Sequence, residues 1–358
     1  MATLAYGFVG IDNLFADRIT DSNVQIVRDA ITSSVAEHNR QVAAIIAEFV
    51  EPTVEYKVRF KGGVGGTLQP LDEFGIPKPV RGGTQYDVAF PIQGGGTAWG
   101  DNRVTRALMT VQDVNEYTLM ALKQDADWMK RHIMAAILDN TSWNYVDPLH
   151  GTLAVQPLAN GDSVEFVRKN GTSSTDNHYI AQAGAVADGS ATNPFPTIYD
   201  ELSEHPENDG ATIVAYIPTN IKSAVTGLTN FIEVPDSNIS YGDSVNSLSG
   251  VIDRGFGDEV LGKVDKVWVV EWSNLPDNYI MAVARGAQPA LRMRQYDAGS
   301  LQGFFQEENS PDGNLQEHRF IRYAGFGSYN RVGALAYFVS AGDTTYDIPA
   351  AYTTPLAV

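Results

Sequence analysis

The sequence predicts an α+β fold: a long amphipathic helix, an extended β-hairpin, a second long helix, and a strand-rich remainder interrupted by short helices. Three observations carry this. Val24, Val27, Ile31, Val35, Val42, Ile45 and Phe49 recur at three-and-four spacing, the signature of one helix face. Val54, Tyr56, Val58 and Phe60 alternate with charged residues, and Tyr86, Val88, Phe90 and Ile92 repeat the pattern of a half-buried strand. Thr110 and Asp113 form a capping pair ahead of a third apolar periodic stretch that includes Val114, Leu122, Met129, Ile133, Ile137 and Leu138.

The first helix takes Asp21 or Ser22 as N-cap and is expected to stop at Pro52. Packing supplies most helical stability, so this helix must lie on its own core or on a neighbour's. The two strands at 54–61 and 86–92 are joined by a Gly- and Pro-rich tip over 62–83, and Gly94, Gly95 and Gly96 read as a hinge on the way out. Two strands alone are marginal in water, yet each presents an apolar face, and no third strand is adjacent in sequence. Either a distant part of the chain or a second copy covers that face; the second option makes an assembly. Loops of this length inside a compact domain are uncommon without a function.

The second helix runs to about Asn140 and its broad apolar surface predicts burial along most of its length. Residues 153–190 read as an inserted hairpin, with strands at 164–167 and 179–182 around a polar run that is expected to face outward or meet a neighbour. Pro196 opens a short helix to Ser203; a strand at 212–217, a helix at 221–228 and a polar loop at 239–257 follow. Further strands are expected at 264–272, 279–283, 290–295, 318–325 and 334–340.

Composition narrows the function. The 358 residues include 25 Lys and Arg against 43 Asp and Glu, a formal charge of −18, which disfavours a general nucleic-acid or anionic-membrane binder. With no cysteine there is no disulfide, thiolate zinc site or cysteine nucleophile. The stretch 1–17 lacks a basic leader and carries Asp12, so no secretory signal is expected, and no segment has the apolar length of a membrane span.

The familiar catalytic motifs are absent: no His-Glu-x-x-His helix, Gly-x-Ser-x-Gly elbow, P-loop lysine or calcium loop. The glycine pairs Gly63/Gly65 and Gly255/Gly257 lack the third glycine of a dinucleotide site and read as turns. His38, His132, His150, His178, His205 and His318 are scattered, with no pair at metal-ligand spacing on one helix. Asp125 and Asp127 sit two apart on a helix and point away from each other, and Glu307 and Glu308 read as a solvated turn. No catalytic, cofactor or metal residues are assigned, and the chain is read as a non-enzyme.

The order of elements resembles the Hong Kong 97-like fold of tailed-bacteriophage major capsid proteins. Three stretches carry the resemblance: AAILDNTSWNYVDPLHGTL over 135–153, ATIVAYIPTNIKSAVTGL over 211–228 with Leu261-Gly262 and Leu275-Pro276 beyond it, and EHRFIRYAGFGSYNRVGALAYF over 317–338. They resemble the end of the spine helix, the axial domain and the return to the peripheral domain; Lys263 stands where the family often has proline after the glycine. The resemblance implies an N-terminal arm (1–53), an extended loop (54–97), a peripheral domain with spine helix and inserted hairpin (98–194), an axial domain (195–288) and a return segment (289–358).

It further implies a virion shell of pentamers and hexamers, built in the host bacterial cytoplasm around double-stranded DNA that is contacted only non-specifically. A separate scaffolding protein, a portal and decoration proteins are the other partners it implies. Tyr56, Val58, Phe60, Tyr86, Val88 and Phe90 are the expected subunit-interface residues, with Lys57, Arg59 and Arg81 set against acidic neighbours. An encapsulin-like compartment around a cargo protein is the alternative within the same fold. A hydrolase with an unrecognised carboxylate or Ser/His site and a monomeric binding module are the alternatives outside it.

Overall fold

The structure is a computed structural model that describes residues 24–63, 68, 70–77, 83–102, 109–234, 257–308, 315–339 and 341–356. The expected caps Asp21 and Ser22, Arg81, and nearly all of the 239–257 loop lie outside them.

Helix α1 (Val24–Ile46) buries Val27, Ile31, Val35 and Val42, the face that its spacing predicts. It ends six residues before Pro52. The stretch thought to continue it is strand β1 (Val50–Thr53), which pairs in parallel with residues 291–294, while Phe49 is fully buried between the two elements. Pro52 is tolerated because an edge strand can spare its missing N–H. Strands β2 (Lys57–Lys61) and β3 (Gln85–Ala89) form the expected hairpin, with Val58 opposite Val88 and Phe60 opposite Tyr86.

The glycine hinge is instead strand β4 (Gln93–Asn102), paired antiparallel over ten positions with residues 315–324. A Cβ on Gly95 would come within 2.7 Å of the Trp128 ring, so here glycine lets an indole lie flat on the strand. Helix α2 (Val111–Leu138) starts at the reciprocal box between Thr110 and Asp113. Its C-terminal half is the more buried, through Met129, Ile133, Met134, Ile137 and Leu138.

Beyond α2 come hairpin β5 (Trp143–Asp147) and β6 (Gly151–Val155), then β7 (Asn160–Val167) and β8 (Ser173–Asn177), then β9 (Tyr179–Ala181). The inserted hairpin therefore pairs β7 with β8; the run at 179–182, expected as its second strand, joins a different sheet. Helices α3 (Pro194–Ser203) and α4 (Thr219–Thr226) flank β10 (Thr212–Ile217). Next are β11 (Phe231–Glu233), β12 (Glu259–Val264), β13 (Val267–Glu271), β14 (Tyr279–Arg285) and β15 (Leu291–Arg294). The single strand expected over 264–272 is broken by a tight turn at Asp265, whose φ of 51° is left-handed. Glu307 and Glu308 close strand β16 (Phe304–Glu308) rather than a solvated loop, because β17 (Leu315–Ser328) supplies their partners; β18 (Ala334–Phe338) completes the chain of strands.

The strands make two main sheets. One runs β11-β12-β13-β10-β14-β18-β9; the other runs β1-β15-β17-β16, with β4 also on β17. The seven-stranded sheet is covered on both faces, which explains its near-continuous apolar runs. Ile213, Ala215, Ile217, Val269 and Ile280 pack with Phe195, Ile198 and Leu202 of α3 and Ile221 and Val225 of α4. The alternate residues Val214, Tyr216, Val270 and Met281 share a core with the end of α2 and with Phe49. A third cluster joins α1 and α2 to β16 and β17 through Ile31, Val35, Leu122, Phe304 and Phe320.

Candidate assembly surface

The inner face of the β2–β3 hairpin is not waiting for a neighbour. Phe60, Tyr86, Val88 and Phe90 are buried against Ala159, Phe166 and Val332 of the same chain, with Val58 half-buried beside them. Phe60 stacks on Tyr86 at 4.8 Å, and Phe166 lies 5.9 Å from Tyr86. The Tyr86 hydroxyl donates to the Tyr329 carbonyl at 2.9 Å and accepts from the Arg331 amide at 3.0 Å, and burial raises its pKa. These four side chains, expected at a subunit interface, are enclosed within their own subunit, which leaves the outer face and the loop beyond as the hairpin's exposed surface. The physical reason is the inserted hairpin, whose β7 supplies the covering layer, so the apolar base of that insertion is turned inward and only its far side is solvated.

Lys57 and Arg59, expected to face acidic neighbours, both reach Asp87 across the hairpin, at 3.1 and 2.8 Å. Their hydrogen bonds hold the Asp87 carboxyl at about 2, below the usual carboxylate range. These pairs are solvent-exposed and contribute little to stability. Tyr56 stays 37% exposed while stacking on His150 of the β5–β6 turn at 3.7 Å. Thus the hairpin's base is a fixed mount. Thr84 accepts from the Val167 amide and Glu207 accepts from the Gly63 amide, both at 2.9 Å.

Apolar surface does emerge further out. In the described part of the loop Leu68 is 98%, Leu71 64%, Phe74 78% and Ile76 60% exposed. Four of the nine described residues between 68 and 77 are therefore large, apolar and solvated, an uncommon concentration for a monomeric surface. The tip is built locally: Leu71 bridges Pro77, the Asp72 carboxylate accepts from the Phe74 and Ile76 amides, and Gly75 takes a φ of 76°. An Asx-type turn with glycine at its left-handed position holds that shape without help from the rest of the chain. Composition signalled the turn; the exposed residues within it carry no periodicity that sequence reasoning could use.

Two buried polar clusters tie elements of the body together. Asp125 on α2 accepts from Arg322 on β17 at 2.5 and 2.7 Å and lies 2.7 Å from the His38 Nε2 on α1. Burial pushes the Asp125 carboxyl up, yet the hydrogen bonds of His38 and Arg322 prevail and its pKa is lowered. Asp127 points away, as its two-residue offset predicts, and lies 3.9 Å from Lys130. Arg331 is enclosed and donates to the carbonyls of Pro157 and Leu158, to Asn160 and to Asp162. A concavity of about 250 Å³ beside Asp125 and Arg322 has those two groups committed to each other, so it offers no free acid or base. The histidines are less scattered than the sequence indicates, since His178 and His205 meet in the core at 3.4 Å between their Nε2 atoms.

A solved structure from Mycobacterium phage Patience matches with a TM-score of 0.68 over 95% of both chains, at 18% identity. The chain shares the fold of that phage protein. The asymmetric unit of the bacteriophage PhiM1 mature capsid aligns over 81% of this chain and 84% of that one, at 10% identity and a TM-score of 0.48. The capsid structure of cyanophage P-SCSP1u does so over 81% and 85%, at 10% identity and 0.46. No family model matches the sequence, and no curated protein does. In this fold the β2–β3 hairpin has its charged outer face self-paired through Asp87, and the described loop residues beyond it carry the exposed apolar side chains.

Proposed function

We propose that the chain is a major capsid protein whose copies assemble into an icosahedral virion shell around phage double-stranded DNA. The observation that carries this reading is the preformed apolar loop tip, mounted on a hairpin whose base is buried in its own subunit. Within a capsid fold such a tip is suited to bury Leu71, Phe74 and Ile76 on an adjacent copy, a contact that supplies affinity with little ordering cost. The interface is therefore assigned to the tip and to the exposed Tyr56, Lys57 and Arg59, with Arg81 retained as a candidate from sequence.

The activity is self-association into pentamers and hexamers, without catalysis. A separate scaffolding protein, a portal and non-specific contact with the packaged DNA belong to the same reading, as does assembly in the host cytoplasm. So does the division into arm, extended loop, peripheral and axial domains. The formal charge of −18 fits a genome driven in by a motor better than one condensed on the inner wall. Electron microscopy of the chain, expressed alone and with candidate scaffolding partners, tests it. Closed shells or five- and six-fold rings are expected, and a persistent monomer in every combination refutes the reading. Shells that form around a cargo enzyme rather than DNA would instead place the chain with encapsulin-like compartments.

A further inference from the structure

The buried meeting of His178 and His205 is completed by Asp176, whose carboxylate oxygen Oδ2 lies 3.1 Å from the His205 Nε2. The three ligand-type atoms are all within 4.8 Å of one another, and all three residues are buried. Their spacing has a specific meaning. Four ligands around a zinc-class ion at its usual bond lengths stand about 3.3 Å apart along the tetrahedron's edges. The pairs measured here, 3.4 Å between the two imidazole nitrogens and 3.1 Å from nitrogen to carboxylate oxygen, match that edge.

The surroundings set the donor of His178, while the His205 Nδ1 is buried without a hydrogen-bond partner. His178 Nδ1 lies 2.7 Å from the Ala334 carbonyl, which can only accept, so the proton sits on Nδ1 and the lone pair of Nε2 faces inward. Asp176 Oδ1 already accepts from the Asn177 amide at 2.8 Å, while its Oδ2 has no hydrogen-bond partner. Glu204 brings a second carboxylate: its Oε2 pairs with Arg168 at 3.0 Å, and its Oε1 is enclosed, without a hydrogen-bond partner, 3.8 Å from the His205 Nε2. Buried polar atoms left unsatisfied are uncommon, and two carboxylate oxygens without hydrogen-bond partners beside two facing imidazole nitrogens call for a ligand. The opposing charge is Arg168, 3.7 Å from Asp176 and 3.0 Å from Glu204 at the solvent side, which faces the three carboxylates gathered there, Asp176, Glu201 and Glu204.

We propose that Asp176, His178 and His205, with Glu204 as fourth ligand, bind one divalent transition-metal ion of the zinc class. Two imidazoles and two carboxylates suit that class better than calcium or magnesium, which take oxygen ligands at longer or octahedral spacing. The site joins three parts of the chain: the end of the inserted β7–β8 hairpin, the link into β9, and the turn after α3. Glu207, two residues beyond His205, holds the Gly63 amide at the root of the extended loop, so the ion would pin the insertion beneath the loop's mount.

The test uses the purified full-length chain, stripped with a chelator and titrated with cobalt(II) and zinc(II). Expected are visible ligand-field bands of tetrahedral cobalt that saturate at one equivalent and are displaced by zinc. The thermal midpoint should rise with zinc and fall on adding chelator. His205→Ala and Asp176→Asn should weaken zinc binding by about 100-fold or more. If either variant fails to fold, the wild-type titration and its zinc-dependent midpoint decide alone. No saturable cobalt spectrum together with a midpoint indifferent to zinc and chelator overturns the site, as do folded variants that bind zinc as tightly as the wild type.

Discussion

Replacing Leu71, Phe74 and Ile76 together by serine removes the apolar surface of the loop tip while leaving its turn intact, because the turn is held by Asp72 and Gly75. The three side chains are 64, 78 and 60% exposed, so little of their surface contributes to the folded subunit. Fully burying a side chain of this size is worth about 1.5–3 kcal/mol, and weighting by those exposures gives about 4 kcal/mol for each tip that docks. That is about a thousandfold in the equilibrium constant of one contact. The subunit itself should melt within about 2 °C of wild type, since exposed substitutions rarely exceed about 0.5 kcal/mol. Light scattering and sedimentation against protein concentration give the assembly threshold, and circular dichroism gives the melting point. Assembly at the wild-type concentration by a normally folded variant would remove the tip from the mechanism.

Asp125→Asn leaves the buried Arg322 without its carboxylate and should cost about 3–5 kcal/mol in urea unfolding. Because the folded pKa of Asp125 is lowered, its stabilisation is present above the ordinary carboxylate value and is lost as pH falls toward the folded one; the wild-type urea midpoint should drop below about pH 4 and the variant's should drop less. Gly95→Val drives a side chain into the Trp128 ring and should cost about 1–3 kcal/mol with a shift in tryptophan emission; unchanged emission and stability would contradict the packing. Arg331→Lys keeps the charge but not the planar fork that serves two carbonyls, Asn160 and Asp162, and guanidinium unfolding should show it closer to Arg331→Met than to wild type.

Much of this fold is written locally in the chain. The α2 start is legible because Thr110 and Asp113 satisfy each other's backbone three residues apart, and the β2–β3 register because a period of two leaves one way to bury Phe60 and Tyr86 together. What escapes local reading depends on partners far away. Gly94 to Gly96 look like a hinge until β17, more than two hundred residues on, supplies their hydrogen bonds. The polar 173–177 segment has no strand pattern and is extended only because β7 lies beside it. The hairpin's apolar face was correctly taken to need a cover, but whether that cover comes from the same chain or from another copy is a tertiary fact. His178 and His205 are separated by a helix that folds one back onto the other, which no spacing rule on a single element reveals.

Three residues separate the end of the hairpin from strand β4, which pairs antiparallel with ten successive positions of β17. A pull on the extended loop along the strand axis therefore loads those rungs side by side, in shear, rather than opening them one after another like a zip. β17 continues from there onto β15, which in turn holds β1. The loop is thus tethered to a tension member that runs through the body of the subunit, and strain applied at its tip would be spread across the five-stranded sheet before it reached any single contact.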